Sequence, residues 1–285
     1  MSKVTLLSTK DKKQWLEILD SFELKDPYYL PGYLEIYEKV SNRESFMHFG
    51  GQGMLFVYGD SRNFIIYPFF KRSISHLPFL DNSVKDLYDI ISPYGYCGPL
   101  AQIEDETISE ELWRGFFDKF DDFCKEGNIV SEFCRLHPIL ENHKPVGDFS
   151  QCTTQQLGQI VYANLSCSEE EIFAAMSKSH RRHARRALEN PDLRFYVDEE
   201  DYHPQFFCDL YTETMRRNRA HKKYFFPPSF FEAVFLTLGE HLSFHHVDYC
   251  GKVVSELLTL KYGDMSYSWL SGSEEEALHL YPNNL

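Results

Sequence analysis

Residues 176–186 read MSKSHRRHARR, and they decide how the second half of the chain is interpreted. No acid interrupts the five cations of this stretch, which are Lys178, Arg181, Arg182, Arg185 and Arg186. Upstream, Ser168 and Glu171 form a capping box that predicts a helix start, and Asn190 with Pro191 predicts its end. At about 100° per residue the cations gather on one side of this helix and the apolar residues on the other. The stretch therefore predicts one helix with a packed face and a cationic face.

The cationic face carries an electrostatic cost. Lys178 with Arg182, and Arg181 with Arg185, are like-charged neighbours one turn apart, and such pairs destabilise a helix by about 0.2–0.5 kcal/mol each. A bound anion would remove this cost, and arginine suits bidentate recognition of phosphate or carboxylate better than lysine does. We therefore predict that Lys178, Arg181, Arg182 and Arg185 bind an anionic ligand. A solvated helix face is the alternative.

The composition indicates a globular protein. Of the 285 residues 43% are hydrophobic and 16% aromatic, which is enough for the cores of two domains. The formal net charge of −14 disfavours binding to DNA through the overall field, so an anion must be met by local cationic patches. A second acid-free patch of this kind runs from Arg216 to Lys223.

The cysteines and the N-terminus predict a reduced cytoplasmic protein. The seven cysteines show no CxxC spacing, and we expect neither a disulfide framework nor zinc. The N-terminus lacks a signal-type apolar core, and no apolar run reaches the roughly 18 residues of a membrane span. His241, His245 and His246 lie close together, but they have no second group of ligands nearby, so we expect no metal site.

The periodicity predicts two units of similar order. The first has helices at Asp11–Phe22 and from Pro31, a hairpin of Met54–Tyr58 and Phe64–Phe70, a helix at Ser109–Glu126 and a strand from Ile129. The second has a strand at Gly158–Leu165, the cationic helix, a helix from Pro204 and a three-strand meander over Leu242–Leu270. A polar stretch at 141–156 predicts the link, which gives domains at 1–150 and 151–285. Because few residues follow Leu270, we expect the second sheet to be incomplete at the C-terminus.

Five stretches carry a resemblance to a known family. They are SPYGYCGP (92–99), FCRLHP (133–138), SKSHRRHARRA (177–187), LYTETMRRNRAHKKYFF (210–226) and LSGSEEEALHLYPNNL (270–285). In this order they resemble the FemAB-like aminoacyltransferases of peptidoglycan bridges, which belong to the GNAT acyltransferase superfamily. The resemblance implies an α/β (α+β) fold of tandem GNAT-like domains, with mixed, mostly antiparallel sheets flanked by helices.

The same resemblance implies transfer of an acyl or aminoacyl group from acyl-CoA or aminoacyl-tRNA to an amine of a cell-envelope precursor. The acceptor would be an anionic, UDP- or lipid-linked sugar, and no bound cofactor is implied. The implied acceptor-binding residues are Lys178, Arg181, Arg182 and Tyr224, to which we add Arg185, Tyr94 and Arg135. In relatives PNNL opens a long helix followed by a strand, and some carry a tRNA-handling helical hairpin that this sequence lacks. Two alternatives therefore stay open: an acyl-CoA-dependent N-acyltransferase of polysaccharide biosynthesis, and a non-catalytic fragment that binds the acceptor.

Amide formation at an amine requires a base, because the ammonium must lose a proton before it attacks. Glu256 alternates with Val254, Leu258 and Leu260, which predicts that it lies on the apolar face of a strand. Burial there would strengthen it as a base, and we therefore predict Glu256 as the catalytic residue. The alternative is a carboxylate that pairs with an arginine or lines the domain interface. No GxSxG motif supports nucleophilic catalysis instead.

Overall fold

The computed structural model describes residues 2–40, 51–75, 77, 80, 86–198 and 203–284. The chain divides into two compact units, Met1–Leu157 and Gly158–Leu285. Each unit has one sheet with helices beside it, and this confirms the α/β fold class predicted from the sequence. None of the helices in the described ranges is long and apolar enough to cross a membrane.

The first unit is built on a six-stranded sheet. Its elements are β1 (Lys3–Ser8), α1 (Lys12–Asp20), α2 (Pro31–Val40), β2 (Gln52–Gly59), β3 (Phe64–Ser73), β4 (Tyr88–Ile91), β5 (Leu100–Gln102), α3 (Ser109–Glu126), β6 (Ile129–Phe133) and α4 (His143–Phe149). The strand order is β1-β2-β3-β4-β6, and β5 pairs with β3. Strands β4 and β6 are parallel, whereas the other pairs are antiparallel. The predicted helices and hairpin are confirmed.

The core of the first unit lies between β2, β3 and α3. Phe56 on β2 meets Phe116 and Phe120 of α3 edge to face, with ring centroids 5.7 and 5.2 Å apart. All three rings are buried, and burial of a phenylalanine stabilises the fold by about 1.5–3 kcal/mol. Strand β1 escaped prediction because it is a short edge strand whose Val4 and Leu6 remain exposed.

The second unit is built on an antiparallel four-stranded sheet in the order β10-β9-β8-β7. Its elements are α5 (Glu169–Ala175), α6 (Lys178–Leu188), β7 (Leu193–Asp198), α7 (Pro204–Arg217), α8 (Pro228–Leu238), β8 (Leu242–Tyr249), β9 (Lys252–Tyr262) and β10 (Met265–Ser273), with short 3₁₀ turns at Lys222–Tyr224, Glu275–Leu280 and Pro282–Asn284. The predicted meander is confirmed as β8, β9 and β10.

The strand predicted at Gly158–Leu165 is wrong. These residues form no strand, and no described strand pairs with them. Val161 and Leu165 consequently stay exposed to solvent. A short apolar run predicts a strand only if a sheet edge is present to satisfy its backbone, and the sequence pattern does not show this.

The prediction of a single cationic helix is also wrong. The structure has two helices in this stretch, α5 and α6. The capping box of Ser168 and Glu171 does begin α5, but Met176 and Ser177 are extended, with ψ near 151° and 152°. The hydroxyl of Ser177 then accepts a hydrogen bond of 3.2 Å from the amide of His180 and begins α6. Serine is a favoured N-cap residue, so Ser177 could have predicted a second helix start. The apolar residues keep their helical spacing on both sides of Ser177, and this spacing indicated one continuous helix.

Helix α7 covers one face of the second sheet. An ideal Cβ on Gly272 of β10 would lie 2.7 Å from main-chain atoms of Leu210 and Tyr211, so the backbone of α7 packs directly over this glycine. Glu256 of β9 is the cross-strand partner of Gly272. Because directly paired residues project to the same side of a sheet, Glu256 lies on the α7 face.

The C-terminal turn at Pro282–Asn284 lies on the opposite face. Ser255 precedes Glu256 on β9, and neighbouring residues of a strand point to opposite sides. The hydroxyls of Ser255 and Ser273 donate to Oδ1 of Asn283 over 2.8 and 2.6 Å. The second sheet thus has α7 on one side and this turn on the other.

Candidate functional site

Helix α6 carries an open hollow of about 770 Å³. It is lined by Lys178, Ser179, Arg181, Arg182 and Arg185. The residues recur at three- and four-residue spacing, so one side of the helix presents them together. The structure thus brings together all four α6 residues that the sequence predicted to bind an anion.

The hollow is strongly cationic. Within the described ranges, no ion pair joins an acidic side chain to a cation of α6. The first turn of α6 contains no acidic residue either. The partial positive charge at a helix N-terminus therefore adds to that of Lys178 and Arg182. The hollow is suited to an anion by charge and by the donors around it.

Two of the cations also hold the helices α5 and α6 together. Nη1 of Arg181 donates to the main-chain oxygen of Ala174 over 2.6 Å and also to that of Met176. The guanidinium of Arg185 lies 5.3 Å from the ring centroid of Phe173 on α5, within cation–π distance. Lys178 and Arg182 make no such contact with α5 in the described part of the chain. They are therefore the cations most able to turn toward a ligand.

The opposite side of α6 is fixed to the C-terminal turn. The rings of His183 and Tyr281 stack with centroids 4.1 Å apart and planes 7° apart. Nη1 of Arg186 lies 3.5 Å from the Tyr281 hydroxyl. Partial loss of solvation, with Arg182 and Arg186 nearby, lowers the pKa of His183 below its ordinary value of 6.5. The stacked imidazole is therefore neutral at pH 7.

Glu256 is buried, as predicted, but its partner is a histidine rather than an arginine. Its Oε1 lies 2.8 Å from Nδ1 of His246, the residue directly opposite on β8. The two atoms are close enough for an ion pair, but their relative orientation does not satisfy the geometry of a hydrogen bond. Oε2 of Glu256 and Nε2 of His246 are buried and have no hydrogen-bond partner in the part of the chain that the structure describes.

His246 is not among the site residues predicted from the sequence, because its pairing with Glu256 depends on a bulge. The two-residue turn at Cys250 and Gly251 pairs Tyr249 with Lys252, and a regular ladder would then place His245 opposite Glu256. A register shift between Val247 and Asp248 moves His246 into that place instead. No residue pattern in this stretch announces the shift.

Tyr224 lies outside the hollow on α6. It sits in the 3₁₀ turn after α7, where its main-chain oxygen accepts a 2.9 Å hydrogen bond from the Tyr211 hydroxyl. Nζ of Lys223 lies 5.0 Å from the centroid of the Tyr224 ring. The nearby Arg217 donates to the main-chain oxygen of Ser273, which fixes α7 to the end of β10. This turn forms a second, separate group of candidate residues.

In the first unit, Tyr94 and Arg135 both lie near Tyr28. Gly95, with φ of +99°, closes against the Tyr28 ring, where a Cβ would come within 2.6 Å. Burial raises the pKa of Tyr28, as do Asp26 and Tyr94, whereas Arg135 acts in the opposite direction. The loop around Tyr94 is therefore anchored to the core, and Arg135 stays exposed at its side.

A buried ion-pair contact between Asp26 and His137 lies next to the loop around Tyr94. Oδ2 of Asp26 lies 2.9 Å from Nε2 of His137, and both side chains are inaccessible to solvent. Nδ1 of His137 accepts the amides of Ile139 and Leu140 over 3.2 and 3.1 Å. His137 therefore donates through Nε2 to Asp26 and holds the segment after β6.

No group of three or more His, Cys, Asp or Glu side chains among the described residues is arranged to bind a metal ion. In the first unit, burial raises the pKa of the Cys97, Cys124 and Cys134 thiols, which makes them poor nucleophiles.

Comparison with known proteins gives these sites a context. Residues 174–285 match the family model described as an acetyltransferase (GNAT) domain, a range that includes α6, the second sheet and Glu256. Six solved chains match the fold. One is the crystal structure of FemX, with 11% sequence identity, a TM-score of 0.64, and coverage of 99% of this chain and 83% of that one. None of the curated proteins matches the sequence. At this identity the likeness to FemX establishes the fold.

Proposed function

We propose that this chain, whose residues 174–285 match an acetyltransferase (GNAT) domain and whose fold is like that of FemX, is an acyltransferase that forms an amide on an amine of a cell-envelope precursor. The acyl or aminoacyl group comes from an activated carrier. The observation that carries the proposal is the cationic hollow on α6, within the matched domain, whose cations have no acidic partner among the described residues.

The acceptor is an anionic, UDP- or lipid-linked sugar, and its phosphates bind in the hollow. Lys178 and Arg182 contact them directly, because Arg181 and Arg185 are partly engaged with α5. Charge-assisted hydrogen bonds to phosphate are worth more than neutral ones, so two such residues can account for a large share of the affinity. Tyr224, Tyr94 and Arg135 remain proposed contacts to the sugar or peptide portions of the acceptor.

The reaction requires a deprotonated amine next to the acyl carbonyl. Glu256 lies on the α7 face of the second sheet, whereas α6 is fixed through Tyr281 and Asn283 to the other face. In a peptidoglycan precursor the diphosphate and the side-chain amine of the stem peptide lie at opposite ends of a long molecule. An acceptor of this length can place its phosphates at the α6 cations and its amine at the base, although the two groups lie on different sides of one sheet.

A second candidate concerns the donor. The matched model is that of an acetyltransferase, which favours acyl-CoA and hence an N-acyltransferase acting on an amino sugar of a polysaccharide. Aminoacyl-tRNA is the donor in the first candidate. The two share the amide-forming chemistry and the anionic acceptor, and they differ in the carrier that departs.

Isothermal titration with a UDP-linked peptidoglycan precursor tests the acceptor. We expect wild-type protein to bind it and Lys178→Ala/Arg182→Ala to bind it at least about tenfold more weakly. Lys13→Ala/Arg62→Ala removes the same charge from exposed positions of the first unit and is the matched control. Equal weakening in both variants would remove the hollow from the proposal.

Radiolabelled acyl-CoA and charged tRNA, each supplied with the same precursor, test the donor. Turnover with one carrier alone selects between the two candidates. Absence of turnover with both carriers would contradict the proposed reaction and leave the protein as an acceptor-binding chain.

A further inference from the structure

Four cross-strand neighbours form a row on the α7 face of the second sheet. Tyr196 on β7 pairs with His246, His246 with Glu256, and Glu256 with Gly272. Tyr196 is 42% exposed, whereas His246 and Glu256 are only 5% and 6% exposed. The row therefore runs from the exposed edge of the sheet to a buried polar pair beneath α7.

The surroundings make this pair costly to bury. Phe244, Leu258 and Leu260, which share its face, are all buried. Desolvation of a carboxylate and an imidazole in such surroundings destabilises the fold unless their atoms are well partnered. Among the described residues, neither ring nitrogen of His246 nor Oε2 of Glu256 has a hydrogen-bond partner. A stable fold alone would be served better by two apolar residues, so a functional reason is needed.

The carboxylate biases the tautomer of the imidazole. Oε1 of Glu256 lies 2.8 Å from Nδ1, and although this contact is not aligned as a hydrogen bond, the negative charge favours a proton on that nitrogen over a lone pair. Nε2 is then left with a free lone pair and can accept a proton, while the carboxylate stabilises the charged ring that results.

We propose that Nε2 of His246 accepts the proton of the acceptor amine, with Glu256 as its positioning residue. The inference rests on the proposed function and deepens it, because Glu256 acts through His246 rather than on the amine. The neutral amine attacks the acyl carbon, a C–N bond forms, and the bond from that carbon to the sulfur or oxygen of the carrier breaks. The amine proton passes to Nε2 and then to the departing group, which leaves as a thiol or a hydroxyl.

Tyr196 lies against the imidazole on the side of the exposed sheet edge. Its ring stacks on the imidazole with centroids 4.9 Å apart and planes 20° apart. Tyr196 is the most exposed side chain of the row, so on this side a single ring separates the imidazole from solvent.

The tautomer of His246 can be measured without substrate. Long-range ¹H–¹⁵N spectra of histidine-labelled protein, with the signal assigned by its loss in His246→Gln, are expected to show Nδ1 protonated and Nε2 bare. We expect Glu256→Gln to abolish this preference. A wild-type ring protonated on Nε2 would overturn the proposal.

Kinetics with the donor that supports turnover give the second test. We expect His246→Gln to lower kcat by at least about a hundredfold, with KM within about threefold of wild type. Glu256→Gln lowers kcat, and Glu256→Asp recovers part of the loss. His245→Gln is the matched control, since this neighbouring histidine points to the other face, and its kcat stays within about twofold. A His246→Gln variant with wild-type kcat overturns the inference alone, whereas an inactive wild-type protein overturns the proposed function with it.

Discussion

Nη1 of Arg181 lies 2.6 Å from the main-chain oxygen of Ala174, and the same nitrogen also reaches the oxygen of Met176. These carbonyls end α5, where a helix leaves its last carbonyls without intrahelical donors. Arg181 therefore caps one helix while it stands at the start of the next. This double contact separates it from Arg182, one residue further along.

The two arginines should respond differently to removal. We expect Arg181→Ala to lower the free energy of unfolding by about 1 kcal/mol, because it removes the cap of α5. Arg182→Ala should not lower stability, because it removes the repulsion from Lys178, but it should weaken binding of the UDP-linked precursor. Urea denaturation and calorimetric titration of both variants give the comparison. A stability loss in Arg182→Ala equal to that in Arg181→Ala would contradict the assignment.

The stack between His183 and Tyr281 should matter for anion affinity. Tyr281→Ala removes the ring that holds α6 against the C-terminal turn, so we expect affinity for the precursor to fall about threefold to tenfold. Tyr281→Phe keeps the stacked ring and loses only the weak contact with Arg186, so its affinity should match wild type. If Tyr281→Ala binds as tightly as Tyr281→Phe, the turn has no part in placing the hollow.

Gly272 should tolerate no side chain. A Cβ there would meet the main chain of Leu210 and Tyr211 at 2.7 Å, and backbone atoms move only together with α7. We expect Gly272→Ala to destabilise the protein by about 1–3 kcal/mol in urea denaturation. Gly239→Ala is the control, because a Cβ at Gly239 meets nothing within 4 Å. Similar losses in both variants would rule out the packing explanation.

Much of the fold follows from the sequence because local signals and burial agree. Helix α3 has the predicted bounds, Ser109–Glu126, and Gly127 and Asn128 follow it directly. The strands β8, β9 and β10 were expected from β-branched and aromatic runs separated by turn residues. In these segments each element satisfies its own backbone or pairs with its neighbour in the chain.

The remaining features depend on contacts that no local pattern contains. Residues 158–165 have a strand-like composition but no sheet edge to pair with among the described residues. The four α6 cations of the hollow were predicted as a group, yet the engagement of Arg181 with α5 depends on the break at Ser177. His246 became the partner of Glu256 only through a bulge. A helix break at Ser177 and a register shift of one residue in β8 and β9 therefore determine which side chains meet at these sites.

Asp26 and His137 should be essential to the first unit. Replacement of Asp26 by alanine removes the carboxylate that lies 2.9 Å from Nε2 of His137 and accepts the amide of Tyr28, at a place where both side chains of the pair are inaccessible to solvent. Breaking a buried pair from one side costs about 3–5 kcal/mol. We therefore expect Asp26→Ala to unfold the first unit at much lower urea than wild type, as followed by tyrosine fluorescence. Asp118→Ala, at an exposed position of α3, should show no change. A wild-type midpoint for Asp26→Ala would contradict the assignment.

Stability should decrease in mild acid because of histidines in the second unit. Burial lowers the pKa of His241 and His245 below the ordinary 6.5, and His246 and Lys261 act in the same direction on His245. The unfolded chain therefore binds protons at a higher pH than the folded one, and the free energy of unfolding falls as the pH drops below about 6.5. Above that pH both states are neutral at these residues and the contribution is constant. Urea denaturation at pH 7.5 and 5.5 should show a smaller decrease for His245→Gln than for wild type, because glutamine does not titrate. An equal decrease in the two proteins would show that His245 is as easily protonated in the folded chain as in the unfolded one.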